Sequence, residues 1–468
     1  MLKSVIIAIS IVINILLIGF FIYFFQFREK IRENVNKNYN PVNLSYNSPF
    51  KKEDINKLKR LIDNGSVLVV DKNNNVLLNY NGDKPYIPAS TLKVVTSLAA
   101  IHYLGKDYRF KTEFKIDSNK NLYIKGYGDP SLTSDELRLL IYQLFKKGIR
   151  KINNIYLDGS YFNDFVQVPG NEDSFEAYDA KNSALAANFN TITFKRVGNN
   201  ITSGESETPF VSYAIKILRK AEIEENKKYN GKIYNCNDLL LYELVDNRLK
   251  PKNNFRIAIK DEEDSLLYFG YLFKELCKDF NINVLASVEI KKSPVELPIF
   301  LTFYSSKTLS DIIKHLLKYS NNFTANQILL TLGAVKLNSN PASLKKGVSV
   351  VNQFLNKELK IKNFFLSEGS GLSYANRITA RQMVEILNKF NKYKYLLSKI
   401  LLNKYKRSSI INHASEHIFA KSGGLKTVKS LVGFIDTPKF GEVKFAVFLN
   451  QSTNNKLHVL KLILSSLY

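Results

Sequence analysis

Tryptophan is absent from the 468 residues, methionine and cysteine occur twice each, and histidine five times. Cys236 and Cys277 lie far apart and neither sits in a Cys-x-x-Cys pair, so no thiol redox motif is present, and a disulfide cannot be read from spacing alone. The histidines (His102, His315, His413, His417 and His458) supply no metal pattern. His413 and His417 stand four apart, but no carboxylate helix motif joins them. No metal or cofactor is therefore expected. Acidic residues are few, 42 against 67 basic ones, giving a net charge of +25. Such a surplus pulls toward anionic lipid or polymer. The lysines are spread over nearly every segment, however, with no helix-turn-helix, zinc-finger or RNA-binding signature to gather them, which argues against a nucleic-acid partner. Abundant Lys, Asn, Ile, Tyr and Phe read as the codon bias of an AT-rich genome, with many lysines simply solvated. Hydrophobic residues at 45% and charged residues at 23% exclude a disordered or collagen-like chain. The length allows about two or three domains.

One long apolar run stands out. Val5 to Phe25 is interrupted only by Ser10, Asn14 and Gly19, and about 20 residues of helix cross a bilayer. A cleaved leader has a shorter core and a small-residue cleavage site. This run ends instead in Phe24-Phe25-Gln26-Phe27-Arg28. An uncleaved transmembrane anchor over residues 1–27 is expected, then a polar Asn-, Ser- and Pro-containing linker over 28–50.

Beyond the linker, apolar residues at Ile55, Leu58 and Ile62 with the stop Asn64-Gly65 predict an amphipathic helix. Runs 66–70 and 76–80 predict a hairpin, and a helix is expected over 90–104. A second hairpin falls at 108–124. Thr133-x-x-Glu136 has the pattern of a helix-starting capping box. The stretch to about 290 mixes short strands and turns without a repeat. Long helical patterns return at 308–319, 323–335, 342–357 and 379–390, followed by strands near 419–423, 431–435 and 443–449 and a last helix from 455. This mixture predicts an α+β fold, an antiparallel sheet with helices on its faces.

Three short motifs carry chemistry. Ser90-Thr-Leu-Lys93 opens the helix at 90, and residues three apart share a helix face, so Lys93 stands above the Ser90 hydroxyl. A serine hydroxyl needs a base to become a nucleophile. A neutral lysine serves, and a second cation nearby would hold it neutral. The helix start also aims N–H groups at developing negative charge. The spacing alone is weak, since Ser48/Lys51 and Ser343/Lys346 share it. Ser320-Asn321-Asn322 falls between two predicted helices. A hydroxyl and a carboxamide there can shuttle a proton and hold an amide, though a plain helix N-cap has the same residues. Lys421-Ser422-Gly423-Gly424 lies on a late strand. Its lysine and hydroxyl can bind a carboxylate, and its glycines admit a peptide to the strand edge. A strand-end turn with a solvated lysine would look alike.

In this order the motifs match the signature set of penicillin-recognising serine enzymes. The chain resembles the class C low-molecular-mass penicillin-binding proteins, the D-alanyl-D-alanine carboxypeptidase/endopeptidases of the penicillin-binding protein 4 type. Ser90 and Ser320 are 230 positions apart, a gap that in this group holds inserted domains. Ile87-Pro-Ala-Ser90, Gly126-Tyr-Gly-Asp-Pro-Ser-Leu132, Ser305-Ser-Lys-Thr-Leu309 and Gly369-Ser-Gly-Leu-Ser373 with Asn376 and Thr379 extend the likeness over about 50–465. Departures are Asn321 and Glu368 in place of aspartate, Ser422 in place of threonine, and Tyr374 in place of arginine. Glu368 and Tyr374 bear on the outer substrate contacts.

The resemblance implies a β-lactamase/D,D-peptidase-like sheet domain built from 51–110 and 300–468, with 111–299 inserted between the first two motifs. It implies Ser90 as nucleophile, Lys93 as base, and Ser320 and Asn322 as proton relay and peptide holder. Lys421 and Ser422 would bind the terminal carboxylate, with the N–H groups of Ser90 and Gly424 as oxyanion hole beside Gly423. The substrate would be peptidoglycan peptides, the inhibitors β-lactams, and no cofactor would be needed. Such chemistry lies outside the cytoplasmic membrane. The positive-inside rule reads the other way, because Arg28, Lys30, Arg32 and Lys37 follow the apolar run and only Lys3 precedes it. Long domains cross despite their charge, so the external side is expected. Two other readings stay open. A β-lactamase would need a water-activating base, and no Glu-x-x-Leu-Asn follows Ser320-Asn-Asn. A non-catalytic wall-binding protein would not need the intact Ser90, Lys93, Asn322 and Lys421.

Overall fold

The computed structural model describes residues 42–44, 48–162, 166–197, 200–228, 254–400 and 417–468. The expected anchor at Val5–Phe25, together with Cys236 and His413, lies outside the described residues. Among the described residues no helix is long and apolar enough to cross a membrane.

The catalytic-motif half is organised by a seven-stranded, wholly antiparallel sheet. Its order is Val42–Asn43, Val76–Tyr80, Gly65–Val70, Gly441–Leu449, Val428–Thr437, Ile418–Leu425, Ser398–Lys399. First and last parts of the chain thus meet at its centre. Side chains alternate across a strand, and both faces are covered, so the central strands are nearly continuous apolar runs. Val67, Val69, Leu431, Ile435, Phe445 and Val447 face one core with Ile55 and Leu58 of helix Lys52–Leu61 and Leu460 and Ile463 of helix Lys456–Leu467. Leu68, Val70, Val432, Phe434, Ala446 and Phe448 face the other, under the remaining helices. Helix Leu92–Leu104 is buried continuously from Leu92 to Ile101. Helix Asn322–Leu337 is buried from Phe323 to Ala334. Both are buried on every side because other elements surround them, and their few polar side chains, Lys93 and Gln327 among them, are buried with the rest.

The chain between the first two motifs has its own core. A five-stranded mixed sheet runs in the order Val288–Ile290, Ile155–Asp158, Leu122–Gly126, Lys111–Ile116, Leu301–Tyr304. A strand–helix–strand crossover through helix Ser134–Lys146 makes Leu122–Gly126 and Ile155–Asp158 parallel. The strand Leu301–Tyr304 pairs with Lys111–Ile116, so this sheet reaches slightly past the boundary expected at 299. A three-stranded sheet (Asn200–Ser203, Thr191–Val197, Phe255–Ala258) and helices Ser212–Lys228 and Glu262–Leu276 complete the region. Only half of the capping box at Thr133 forms. Thr133 accepts from the Glu136 N–H, while the Glu136 carboxylate takes the N–H and hydroxyl of Ser306, tying the inserted region to the returning chain.

Candidate active site

Ser90 sits in a single 3-10 turn, Ala89–Thr91, that leads into helix Leu92–Leu104. The turn is held from both sides. The hydroxyls of Thr91 and Ser430 both donate to the Pro88 carbonyl at 2.6 Å, and Asn450 bonds the carbonyl and N–H of Ile87 at 3.1 and 2.9 Å. Ala89 has φ +48°, the left-handed region that non-glycine residues rarely adopt, immediately before the nucleophile. The loop carrying Gly369-Ser-Gly371 presses on that residue. A Cβ on Gly371, itself at φ +83°, would lie 1.9 Å from the Ala89 carbonyl oxygen. Gly371→Ala is accordingly expected to destabilise the fold by about 3 kcal/mol or more, measured by urea unfolding, from steric overlap and an unfavourable backbone conformation together.

Lys93 is fully buried. Its Nζ lies 2.9 Å from Ser90 Oγ, 2.8 Å from Asn322 Oδ1 and 2.6 Å from the Ser370 carbonyl. The two carbonyl oxygens can only accept. A neutral amine has two N–H groups for them and one lone pair left, directed at the Ser90 hydroxyl. Burial and the charge of Lys421 push the Lys93 pKa well below the usual lysine value, with Glu368 pulling weakly the other way. The Asn322 amide is oriented by its other end, where Nδ2 donates to the Tyr178 carbonyl at 3.2 Å.

The second motif divides its labour. Ser320 closes helix Leu309–Tyr319 in a left-handed conformation, φ +59°. Asn321 is the N-cap of the next helix and accepts from Thr324 N–H at 2.9 Å. An Asp-for-Asn difference at a cap is mild, since both residues cap equally well. Asn322 then faces Lys93. The inserted region supports this corner: Asn182 Nδ2 donates to the Phe323 carbonyl and to Gln327 Oε1, and Gln327 donates to the Ser183 carbonyl at 2.9 Å.

The third motif runs along strand Ile418–Leu425. Lys421, buried, donates from Nζ to Ser320 Oγ and to the Ser422 carbonyl, both at 2.9 Å. Desolvation, with the neighbouring Lys456 charge, brings its pKa down to about 8. A Cβ on Gly423 would lie 2.8 Å from the Ser90 nitrogen. Glycine there lets the strand pass directly beside the Ser90 N–H, with Gly424 next along the edge. The Ser422 side chain is exposed, and its hydroxyl accepts from Lys456 Nζ at 2.6 Å.

Residues of the three motifs are thus brought together, with Lys93 on Ser90 and Asn322, Lys421 on Ser320, and Gly423 beside the Ser90 nitrogen. Two partners had no sequence signal, the Tyr178 carbonyl and Lys456, and the Ser370 carbonyl comes from the Gly369-Ser-Gly-Leu-Ser373 stretch noted only as a likeness. Glu368 corrects an expectation. It is not an outer substrate contact but is buried, taking the N–H and hydroxyl of Ser370 at 2.6 Å each, and Gly371 N–H and Asn376 Nδ2 at 2.8 Å each. A carboxylate with that many donors organises the loop that presents the Ser370 carbonyl to Lys93. Tyr374 is half exposed, its hydroxyl accepting from Lys426 N–H at 3.2 Å. Cys277 is buried, and burial pushes its thiol pKa up. Among the described residues, no group of three or more His, Cys, Asp or Glu side chains could hold a metal.

An α+β serine-peptidase architecture with a half-buried serine beside a fully buried lysine defines the class. The D-Ala-D-Ala carboxypeptidase 3 (S13) family matches residues 53–463, and the chain belongs to that family. Among curated relatives, the D-alanyl-D-alanine carboxypeptidase DacB of Haemophilus influenzae is 25% identical over 443 residues, covering 87% of this chain and 91% of its own length. The D-alanyl-D-alanine carboxypeptidase of an Actinomadura species is 24% identical over 426 residues, covering 82% of this chain and 77% of its own. Of solved structures, penicillin-binding protein 4 of Haemophilus influenzae superposes with a TM-score of 0.68 at 21% identity, covering 88% of this chain and 98% of that one. The same protein has been solved with a β-lactam bound, and that structure matches at 0.64.

Proposed function

We propose that this protein is a serine D-alanyl-D-alanine carboxypeptidase/endopeptidase that acts on peptidoglycan peptides through an acyl-enzyme on Ser90 and is inhibited by β-lactams. The family membership and the named activities of the relatives support the reaction class. The observation that carries the reading is the buried Lys93 Nζ within hydrogen-bond distance of Ser90 Oγ, Asn322 Oδ1 and the Ser370 carbonyl.

Ser90 Oγ attacks the carbonyl carbon of the penultimate D-alanine as its proton passes to Lys93 Nζ. The carbonyl oxygen becomes an oxyanion held by the N–H groups of Ser90 and Gly424. Collapse breaks the C–N bond, and the leaving amine receives a proton relayed through Ser320. A water molecule then adds to the ester as Lys93 again takes the proton, and Lys93 returns it to Ser90 Oγ as the Ser90–acyl bond breaks to release the shortened peptide. Asn322 holds the peptide amide, and Lys421 and Ser422 take the terminal carboxylate. The run Val5–Phe25 would serve as a single membrane anchor, with the catalytic region on the outer side where the substrate lies. The length and hydrophobicity of the run support the anchor, and the periplasmic or extracellular location of peptidoglycan supports the outer side.

Purified protein incubated with a pentapeptide ending in D-Ala-D-Ala should release D-alanine and should be labelled stably by a fluorescent penicillin. Rapid turnover of the penicillin, or no release of D-alanine, would remove the reading. The pH dependence follows from the two lysines. Acid protonates Lys93 and removes its lone pair, so kcat/KM falls on the acid side. Alkali neutralises Lys421, whose positive charge holds the substrate carboxylate, so kcat/KM falls again above about pH 8. A profile flat to pH 10 would deny Lys421 that role.

A further inference from the structure

Lysine 456 belongs to none of the three motifs, yet its Nζ is 2.6 Å from the Ser422 hydroxyl, the exposed group of the third motif. Its position is fixed by the fold. Val459, Leu460, Ile463 and Leu464 of its helix are buried beneath the sheet. The preceding loop is bolted to the nucleophile segment by Asn450, which bonds both sides of Ile87, and to the first helix by Asn455 Nδ2 on the Leu61 carbonyl at 2.9 Å.

The electrostatics of this placement are unfavourable to the empty protein. Lys456 is the first residue of helix Lys456–Leu467, whose first turn has no acidic residue, so its charge stands at the positive end of the helix dipole. Lys421 lies across Ser422, and Lys429, partly buried, donates to the Leu425 carbonyl at 2.7 Å nearby. Burial lowers the pKa of Lys456 and of Lys421, and the positive fields of Lys429 on Lys456 and of Lys456 on Lys421 lower them further. Among the described residues no carboxylate pairs with Lys421, Lys429 or Lys456, although ion pairs are frequent elsewhere on the surface. Three ammonium groups gathered at one strand edge without an anion cost stability unless an anion arrives.

We infer that Lys456, acting with Ser422 and Lys421, binds the free α-carboxylate of the substrate's leaving residue and makes the enzyme specific for peptides that carry it. This rests on the peptidase reading and names a substrate contact outside the three motifs. Lys421 donates to Ser320 and the Ser422 carbonyl, whereas Lys456 donates to the exposed Ser422 hydroxyl, so a carboxylate bound at that hydroxyl would meet the Lys456 ammonium with Lys421 one residue away. A charge-assisted hydrogen bond of this kind contributes about tenfold to a hundredfold in affinity.

Two peptides identical except for the end, D-Ala-D-Ala acid and D-Ala-D-Ala carboxamide, test it with wild type, Lys456→Met and Lys456→Arg. Wild type should prefer the acid. Lys456→Met should lose about tenfold to a hundredfold in kcat/KM on the acid, mainly through KM, with the preference for acid over carboxamide collapsing and Lys456→Arg restoring most of it. Its alkaline limb should move above pH 8, because removing the Lys456 charge raises the Lys421 pKa. Its melting temperature should hold or rise, since an unbalanced cation has gone. An unchanged acid-to-carboxamide ratio in Lys456→Met, or equal losses on both peptides with a lowered melting temperature, would overturn the inference and leave Lys456 a structural fastener. A wild type that forms no penicillin adduct and cleaves neither peptide would instead overturn the peptidase reading itself.

Discussion

Ser90→Ala is expected to lose the penicillin adduct completely and to lower D-alanine release by about 10⁴- to 10⁶-fold, the range for removing the nucleophile of a serine hydrolase. Mass spectrometry of the intact protein after penicillin treatment reads the first, and amino-acid analysis of the released D-alanine reads the second. Folding should be unaffected. Ser90 is only half-buried and its turn is held by Thr91, Ser430 and Gly371 rather than by its own hydroxyl, so unfolding free energy should stay within about 0.5 kcal/mol of wild type. An adduct of equal yield on the variant would show that another residue is acylated, and the assignment of Ser90 would fall.

Lys93→Met should slow both penicillin acylation and peptide hydrolysis by about 10³- to 10⁴-fold, the upper part of what a positioned base contributes. Methionine matches the lysine stem in length and apolarity but has no lone pair to take the Ser90 proton. It also leaves Asn322 Oδ1 and the Ser370 carbonyl without their donor, an uncompensated desolvation of about 1–3 kcal/mol for each group. Lys93→Arg distinguishes a base from a mere cation. A guanidinium has the charge and the donors but does not deprotonate near neutral pH, so this variant should be as slow as Lys93→Met. Recovery of acylation in Lys93→Arg, followed by stopped-flow labelling, would mean that Lys93 works as a positive charge and not as a neutral amine.

The chemistry was more legible than its supports. Ser90 and Lys93 are three residues apart, and local helical geometry is enough to bring them together. Helix Lys52–Leu61 was visible from its hydrophobic period, and strands Gly65–Val70 and Val76–Tyr80 from short apolar runs joined by a polar turn. The double role of Ser320-Asn321-Asn322 was harder. A helix cap and a functional carboxamide use the same residue types, and only the contacts of Asn321 with Thr324 and of Asn322 with Lys93 separate them. Glu368 showed in sequence only as a departure from aspartate, and its burial under N–H groups that its own loop supplies depends on how that loop folds.

By itself the sequence determined the sheet-and-helix character, the Ser-Lys pair and the residue types at the other two motifs. Each of these follows from local periodicity, short-range spacing or side-chain identity. Tertiary structure alone decided what completes the site: the Ser370 carbonyl 277 positions from Lys93, the Tyr178 carbonyl that aims Asn322, and Lys456 opposite Lys421. The physical reason is that a backbone carbonyl has no residue identity to read, and a lysine in a lysine-rich chain acquires meaning only from the charges the fold sets around it.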